Sequence, residues 1–172
     1  AKAVADVFGH NIPILYMSTD LVFSGYNSPT GGYAEEDEPD PINVVGKTFA
    51  GAEAYIQRCK DHCIVRLGLP LGDSILGNKG AIDWIDGRFR RGLPVTLFYD
   101  EYRSCIDCEE IAEMAVAALA LELKGLFHLG GEKTWSLYDV GKYVLERGGY
   151  SPDLLNGRMR HQEENGPPRI GN

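Results

Sequence analysis

Apolar positions along this chain alternate between two periods. Residues 1–9 read as the tail of an amphipathic helix closed by Gly9, and the near-continuous apolar run 12–18 reads as a strand covered on both faces. Residues 24–41 break both periods with glycines, prolines and a patch of acids, which marks a long loop. A helix over 43–60 follows, with Val45, Phe49, Ala52, Ile56, Cys59 and Cys63 forming one apolar stripe at steps of four, three, four, three and four. The β-branched run 63–69 predicts a buried strand that stops at Pro70.

Beyond a glycine-rich loop ending at Gly80, the pattern predicts a helix over 81–91, closed by Gly92, and a short strand at 95–99. A helix over 108–122, with Asp107 as its N-cap, leads to a strand at 125–129. The last helix, 136–147, is capped by Ser136 and closed by Gly148 and Gly149. The alternation of strands and helices predicts an α/β fold, a partial doubly wound, Rossmann-like and mostly parallel sheet with a small C-terminal substrate-binding region. Three stretches are expected: 1–72, the C-terminal half of a dinucleotide-binding domain; 73–151, a substrate-side region interleaved with returning sheet elements; and 152–172, a weakly ordered polar tail.

Composition narrows the function. The chain has 172 residues, 44% hydrophobic and 24% charged, enough for one sizeable core. Its net charge of −8 argues against nucleic acid as a partner, because no basic stripe exists to displace counterions. No apolar run reaches membrane-spanning length and no charged leader precedes an apolar core, so a cytoplasmic setting is expected. The four cysteines, Cys59, Cys63, Cys105 and Cys108, invite a four-thiolate zinc reading. Their places on predicted core faces fit small buried hydrophobes better, and no metal is expected.

Two segments carry the chemistry. Residues 14–25 contain Ser18-Thr19-Asp20 followed by Leu21-Val22-Phe23-Ser24-Gly25, and residues 35–53 run from Glu35-Glu36-Asp37 through Pro39, Pro41 and Asn43 to Val45-Gly46-Lys47-Thr48-Phe49 and Glu53. Together they resemble the middle of dTDP-4-dehydrorhamnose reductase-like proteins, a branch of the extended short-chain dehydrogenase/reductase family. Further stretches agree in order: 66–72, Gly77-Asn78, 100–107, 126–131 and 136–141. The resemblance implies reduction of a 4-keto nucleotide sugar with NAD or NADP. It makes Thr19 the hydroxyl that orients the ketone, places Ser18, Asp20, Asn78 and Arg103 toward the substrate, and sets Leu69 and Pro70 near the nicotinamide.

The likeness also exposes a gap. Where the family has a Tyr that protonates the ketone and a Lys that tunes it, this chain has Val45 and Phe49. A hydrocarbon side chain can neither give up a proton nor hold a positive charge. Lys47 points around the helix from that site, and Thr48 is a poor acid. Tyr138 and Lys142 share the Tyr-x3-Lys spacing but lie in the last helix. The glycine-rich cofactor turn of the family is also absent, so dinucleotide binding by this chain alone is doubtful. Arg103 could instead pair with Glu109 or Glu110, Thr19 and Asp20 could serve as turn caps, and His128 could be a core histidine.

Two functions stay open at this stage: part of a nucleotide-sugar reductase, or a catalytically silent relative that binds a nucleotide sugar or regulates a partner. An exposed sheet edge is expected to support self-association or contact with a partner protein.

Overall fold

The computed structural model describes residues 1–26, 28–74 and 80–160. Its first layer is a parallel three-stranded sheet of β1 (Ile14–Thr19), β2 (His62–Leu67) and β6 (Gly125–Leu129), in the order β1-β2-β6. Side chains alternate across it. Leu15, Met17, Cys63, Val65 and Leu67 pack on one face with Ala118 of helix α4 (Cys108–Ala120). Tyr16, Ser18, Ile64 and Arg66 therefore turn to the other face, where helix α2 (Val44–Ile56) lies across β1 and β2. A short helix, α1 (Lys2–Phe8), packs beside α2.

Gly68 carries the chain from this sheet into the next, which joins β3 (Leu69–Leu71), β5 (Tyr102–Asp107) and β7 (Thr134–Ser136). A side chain at Gly68 would overlap the Ser104 carbonyl, so only glycine permits the crossing there. β3 runs parallel to β5, and β7 runs antiparallel to it. Pro70 does not end the strand as expected; it sits inside β3, at a sheet edge where a missing N–H is tolerated.

The second core is hydrocarbon. Helices α3 (Ala81–Phe89) and α5 (Leu137–Gly148) pack with β4 (Val95–Phe98) around Ile85, Phe89, Val95, Leu97, Val140, Val144 and Leu145. β4 pairs in parallel with β8 (Leu155–Arg158). Residues 152–160, expected to belong to a weakly ordered tail, thus form a 3-10 turn and a strand, because Leu154 and Leu155 pack against this core. Residues 161–172 lie outside the described residues. The N-cap predictions hold: the Asp107 carboxylate accepts from the Glu109 N–H at 2.7 Å, and the Ser136 hydroxyl accepts from the Asp139 N–H at 3.0 Å.

Helix α2 differs from its predicted stripe. Its buried residues are Gly46, Glu53 and Ile56, whereas Val45 is 50% exposed and Val44 is 79% exposed. Phe49 and Ala52 are half-buried and Ile56 is buried, so the rest of the stripe faces inward and the inward face is widened toward Gly46 and Glu53. Two contacts set that widening: Gly46 lies so close to the Leu21 carbonyl that a Cβ would overlap it, and Glu53 has polar partners waiting in the sheet. Hydrophobic spacing could not reveal either.

Candidate functional site

The carboxyl ends of β1 and β2, with the start of α2, bring the predicted site residues together. Thr19 closes β1, half-buried, and its hydroxyl accepts from the Leu21 N–H at 3.2 Å while donating to Asp20 Oδ1 at 3.2 Å. The hydroxyl expected to orient a ketone is thus also the cap of the turn after β1. The single O–H of Thr19 is directed at Asp20, so a carbonyl oxygen would have to take that hydrogen bond in place of the carboxylate.

Asp20 is itself held. Arg103, from β5, donates its Nε to Asp20 Oδ2 at 2.5 Å and a second guanidinium N–H to Oδ1. Both residues are under 10% exposed. Arg103, expected toward the substrate or paired with Glu109 or Glu110, makes a bidentate fork with Asp20, the geometry a planar guanidinium favours with a carboxylate. Asp20 and Arg103 are thus engaged with each other. They also tie the first sheet to the second.

Ser18, expected beside the substrate, is 2% exposed and donates its hydroxyl to Glu53 Oε1. Arg66 meets the same carboxylate from β2, with Nε at 3.1 Å from Oε1 and Nη2 at 2.8 Å from Oε2. Strand register explains the convergence: Ser18, Arg66 and His128 stand opposite one another on the three parallel strands. The remaining Arg66 nitrogen lies 3.4 Å from His128 Nε2, and its guanidinium carbon sits 5.0 Å above the Phe23 ring. This buried ionic group was not anticipated from the sequence. Its only local signal is a Glu at the inward position of a helix followed by an Arg inside an apolar strand.

The structure places Val45 and Phe49, the two expected substitutions, on α2. Val45 projects outward from the first turn of α2, and Phe49 packs with its ring centroid 6.2 Å from that of Tyr16. Burial, with a contribution from Glu53, raises the Tyr16 hydroxyl above its ordinary pKa, which makes it a weaker acid than a free tyrosine. Thr48 donates its hydroxyl to the Val44 carbonyl at 2.7 Å, and Lys47 is exposed. The look-alike pair is engaged elsewhere, Tyr138 against Tyr99 at 4.3 Å and Lys142 beside Glu146 at 3.8 Å.

Leu69 and Pro70 lie in β3 opposite Cys105 and Ile106, with Pro70 exposed and Leu69 half-buried. Asn78 lies outside the described residues. The cysteines remain free thiols: Cys59 abuts Gly9, Cys63 belongs to the α4-side core, and Cys105 has its thiol pushed up to about 11 by burial. Among the described residues, no cluster of three or more His, Cys, Asp and Glu side chains could hold a metal ion. None of the described helices is long and apolar enough to cross a membrane.

A parallel α/β sheet flanked by helices, with Thr19 closing one strand beside a helix N-terminus, is a Rossmann-like arrangement. The chain belongs to the RmlD substrate binding domain family, which matches residues 1–169. It is 32% identical over 136 residues to a dTDP-4-dehydrorhamnose reductase of Salmonella typhimurium, covering 73% of this chain and 43% of that protein. It is also 26% identical over 134 residues to the methionine adenosyltransferase 2 subunit beta of Danio rerio, covering 74% of this chain and 41% of that one. Among solved structures, dTDP-4-dehydrorhamnose reductase from Bacillus anthracis in complex with NADP superposes with a TM-score of 0.76 at 18% identity, over 87% of this chain and 52% of that chain. The chain thus spans about half or less of the length of these relatives.

Proposed function

We propose that this chain is the substrate-side part of a nucleotide-sugar reductase of the dTDP-4-dehydrorhamnose reductase type, acting with NAD or NADP on a 4-keto sugar nucleotide. The observation that supports it is Thr19, whose hydroxyl stands at the end of β1 in an orientation fixed by Asp20 and Arg103. Ser18, Asp20 and Arg103 serve as positioning residues; Leu69 and Pro70 serve the nicotinamide side. When bound, the nicotinamide supplies hydride. The chain's own residues supply an oriented hydroxyl at Thr19 and hydrocarbon at Val45 and Phe49, so the proton for the ketone oxygen does not come from those two positions. The setting is the cytoplasm, where free thiols stay reduced.

A second reading is favoured by one specific observation. Val45 is half-exposed hydrocarbon where a proton donor belongs, which suits a silent nucleotide-sugar-binding or regulatory relative. The similarity to a protein named as an adenosyltransferase subunit is compatible with that role. Contact with a partner or a second copy would use the outer edge of β1, which ends the sheet.

One experiment separates the two readings. NADPH oxidation is followed with a dTDP-4-keto-6-deoxy sugar, for the chain as it stands and for Val45→Tyr/Phe49→Lys, alongside calorimetric binding of the sugar nucleotide. Turnover by the unaltered chain supports the reductase. Binding without turnover, with activity gained in the double variant, supports the silent relative. Neither binding nor turnover in either protein overturns both.

A further inference from the structure

The sheet of β3, β5 and β7 has two sides, and their contacts tell them apart. On one, Ile106 of β5 joins Cys63, Val65 and Ala118 in the core against α4. Arg103, three residues earlier in the same strand, projects to the other side, where the Asp20 carboxylate accepts from two of its nitrogens. β7 runs antiparallel to β5, and Trp135 stands directly across from Arg103. Residues opposite each other in such a pair project to the same side. Trp135 therefore shares the side on which Asp20 takes the Thr19 hydroxyl, at 3.2 Å.

The Trp135 side chain is 41% exposed, on a strand at the edge of its sheet. Several other exposed aromatic side chains are engaged: Trp84 lies under the Arg88 guanidinium, Tyr99 leans on Tyr138, and the Tyr143 hydroxyl accepts from Arg147. Among the described residues, no ring or guanidinium is stacked on the Trp135 indole. Its face is open beside the candidate site.

We propose that Trp135 is the platform on which the sugar ring of the nucleotide sugar lies, the ring's C–H face against the indole, when the ketone takes the Thr19 O–H from Asp20. This rests on the nucleotide-sugar reading above, in either its reductase or its silent form, and adds the residue that selects for the sugar. The neighbours run in sequence: Thr19 to Asp20, Asp20 to Arg103, and Arg103 to Trp135 across the strands. In a nucleotide sugar the ring carbons adjoin the ketone, whereas two phosphates and a ribose set the base apart from it. A surface one cross-strand neighbour beyond the Asp20–Arg103 pair thus meets the sugar ring before it meets the base. Asp20 neutralises Arg103, so the ground beside the indole holds no spare positive charge for the phosphates. Sugar C–H groups are weakly positive, and the indole face is the most electron-rich of the aromatic side chains.

Fluorescence and calorimetry with two probes, dTDP-glucose and dTDP, test this without turnover. The chain has two tryptophans, so Trp84→Phe leaves Trp135 as the one indole that reports. Its emission should change on titration with dTDP-glucose and stay constant with dTDP. By calorimetry, Trp135→Ala should weaken dTDP-glucose binding about tenfold, the scale of one stacked aromatic contact, and dTDP binding by less than about twofold. Trp135→Phe, which keeps a ring, should bind dTDP-glucose within about threefold of the unaltered chain. If Trp135→Ala does not fold, the emission titration decides alone. Binding of dTDP-glucose that leaves the emission unchanged, or equal losses for both probes in Trp135→Ala, as a merely structural role gives, overturns the platform and leaves the nucleotide-sugar reading standing. If the unaltered chain binds neither probe, the platform and that reading fall together.

Discussion

On the α2 face of the first sheet, two guanidinium groups and two carboxylates are buried in pairs, Glu53 with Arg66 and Asp20 with Arg103. Between α3, α5, β4 and β8 the equivalent depth is filled by Phe89, Val95, Leu97, Val144 and Leu145, with no charge among them. The two regions are similar in depth but differ in what they demand of their neighbours. Hydrocarbon contacts are adjustable and add up from many small terms. A buried charge is all or nothing: it is tolerated only while its partner and hydrogen bonds are in place. The candidate site is built on the second kind, which fixes Thr19 and the entry to α2 more tightly than packing alone.

The largest expected effect comes from breaking one ionic partner. Arg66→Met should cost about 3–5 kcal/mol in urea unfolding, because Glu53 is left buried with a charge it cannot share. Adding Glu53→Met should restore most of that stability. If the double variant is no more stable than the single one, the pair is not a unit and the contrast between the regions fails. In the hydrocarbon region, Leu145→Ala should cost about 2–5 kcal/mol, with no second substitution of a polar group able to restore it. The smallest effect lies at the rim of that region. Ser136→Ala removes the α5 cap, and a loss of about 1 kcal/mol is expected, read from the same unfolding curves.

This contrast also explains what could be read from the sequence. The hydrocarbon region was legible because its signals are local: the cap at Ser136 and the apolar periods of α3 and α5 all appear within a few residues. Ser18-Thr19-Asp20 at a strand end was legible for the same reason, whereas the reading of Val45 and Phe49 came from the family resemblance. The ionic region was not. Glu53 and Arg66 are 13 positions apart, Asp20 and Arg103 are 83 apart, and Arg66 and His128 are 62 apart. Their pairing depends on strand register, which a single sequence does not display. The same blindness left Gly46 and Glu53 off the inward face of α2, since hydrophobic spacing counts Glu53 as a surface residue. It also hid β5 and β7, whose antiparallel pairing interrupts the otherwise parallel pattern.

Gly68 has a consequence of a mechanical kind. The backbone passes from β2 to β3 at that single residue, pressed against the Ser104 carbonyl, β6 and β7 carry it back and across again, and Asp20 and Arg103 rivet the same two sheets a short way off. Tension applied between the chain ends in an optical trap would have to shear this joint before either layer could peel, so the two halves should give way in one rip and not in two.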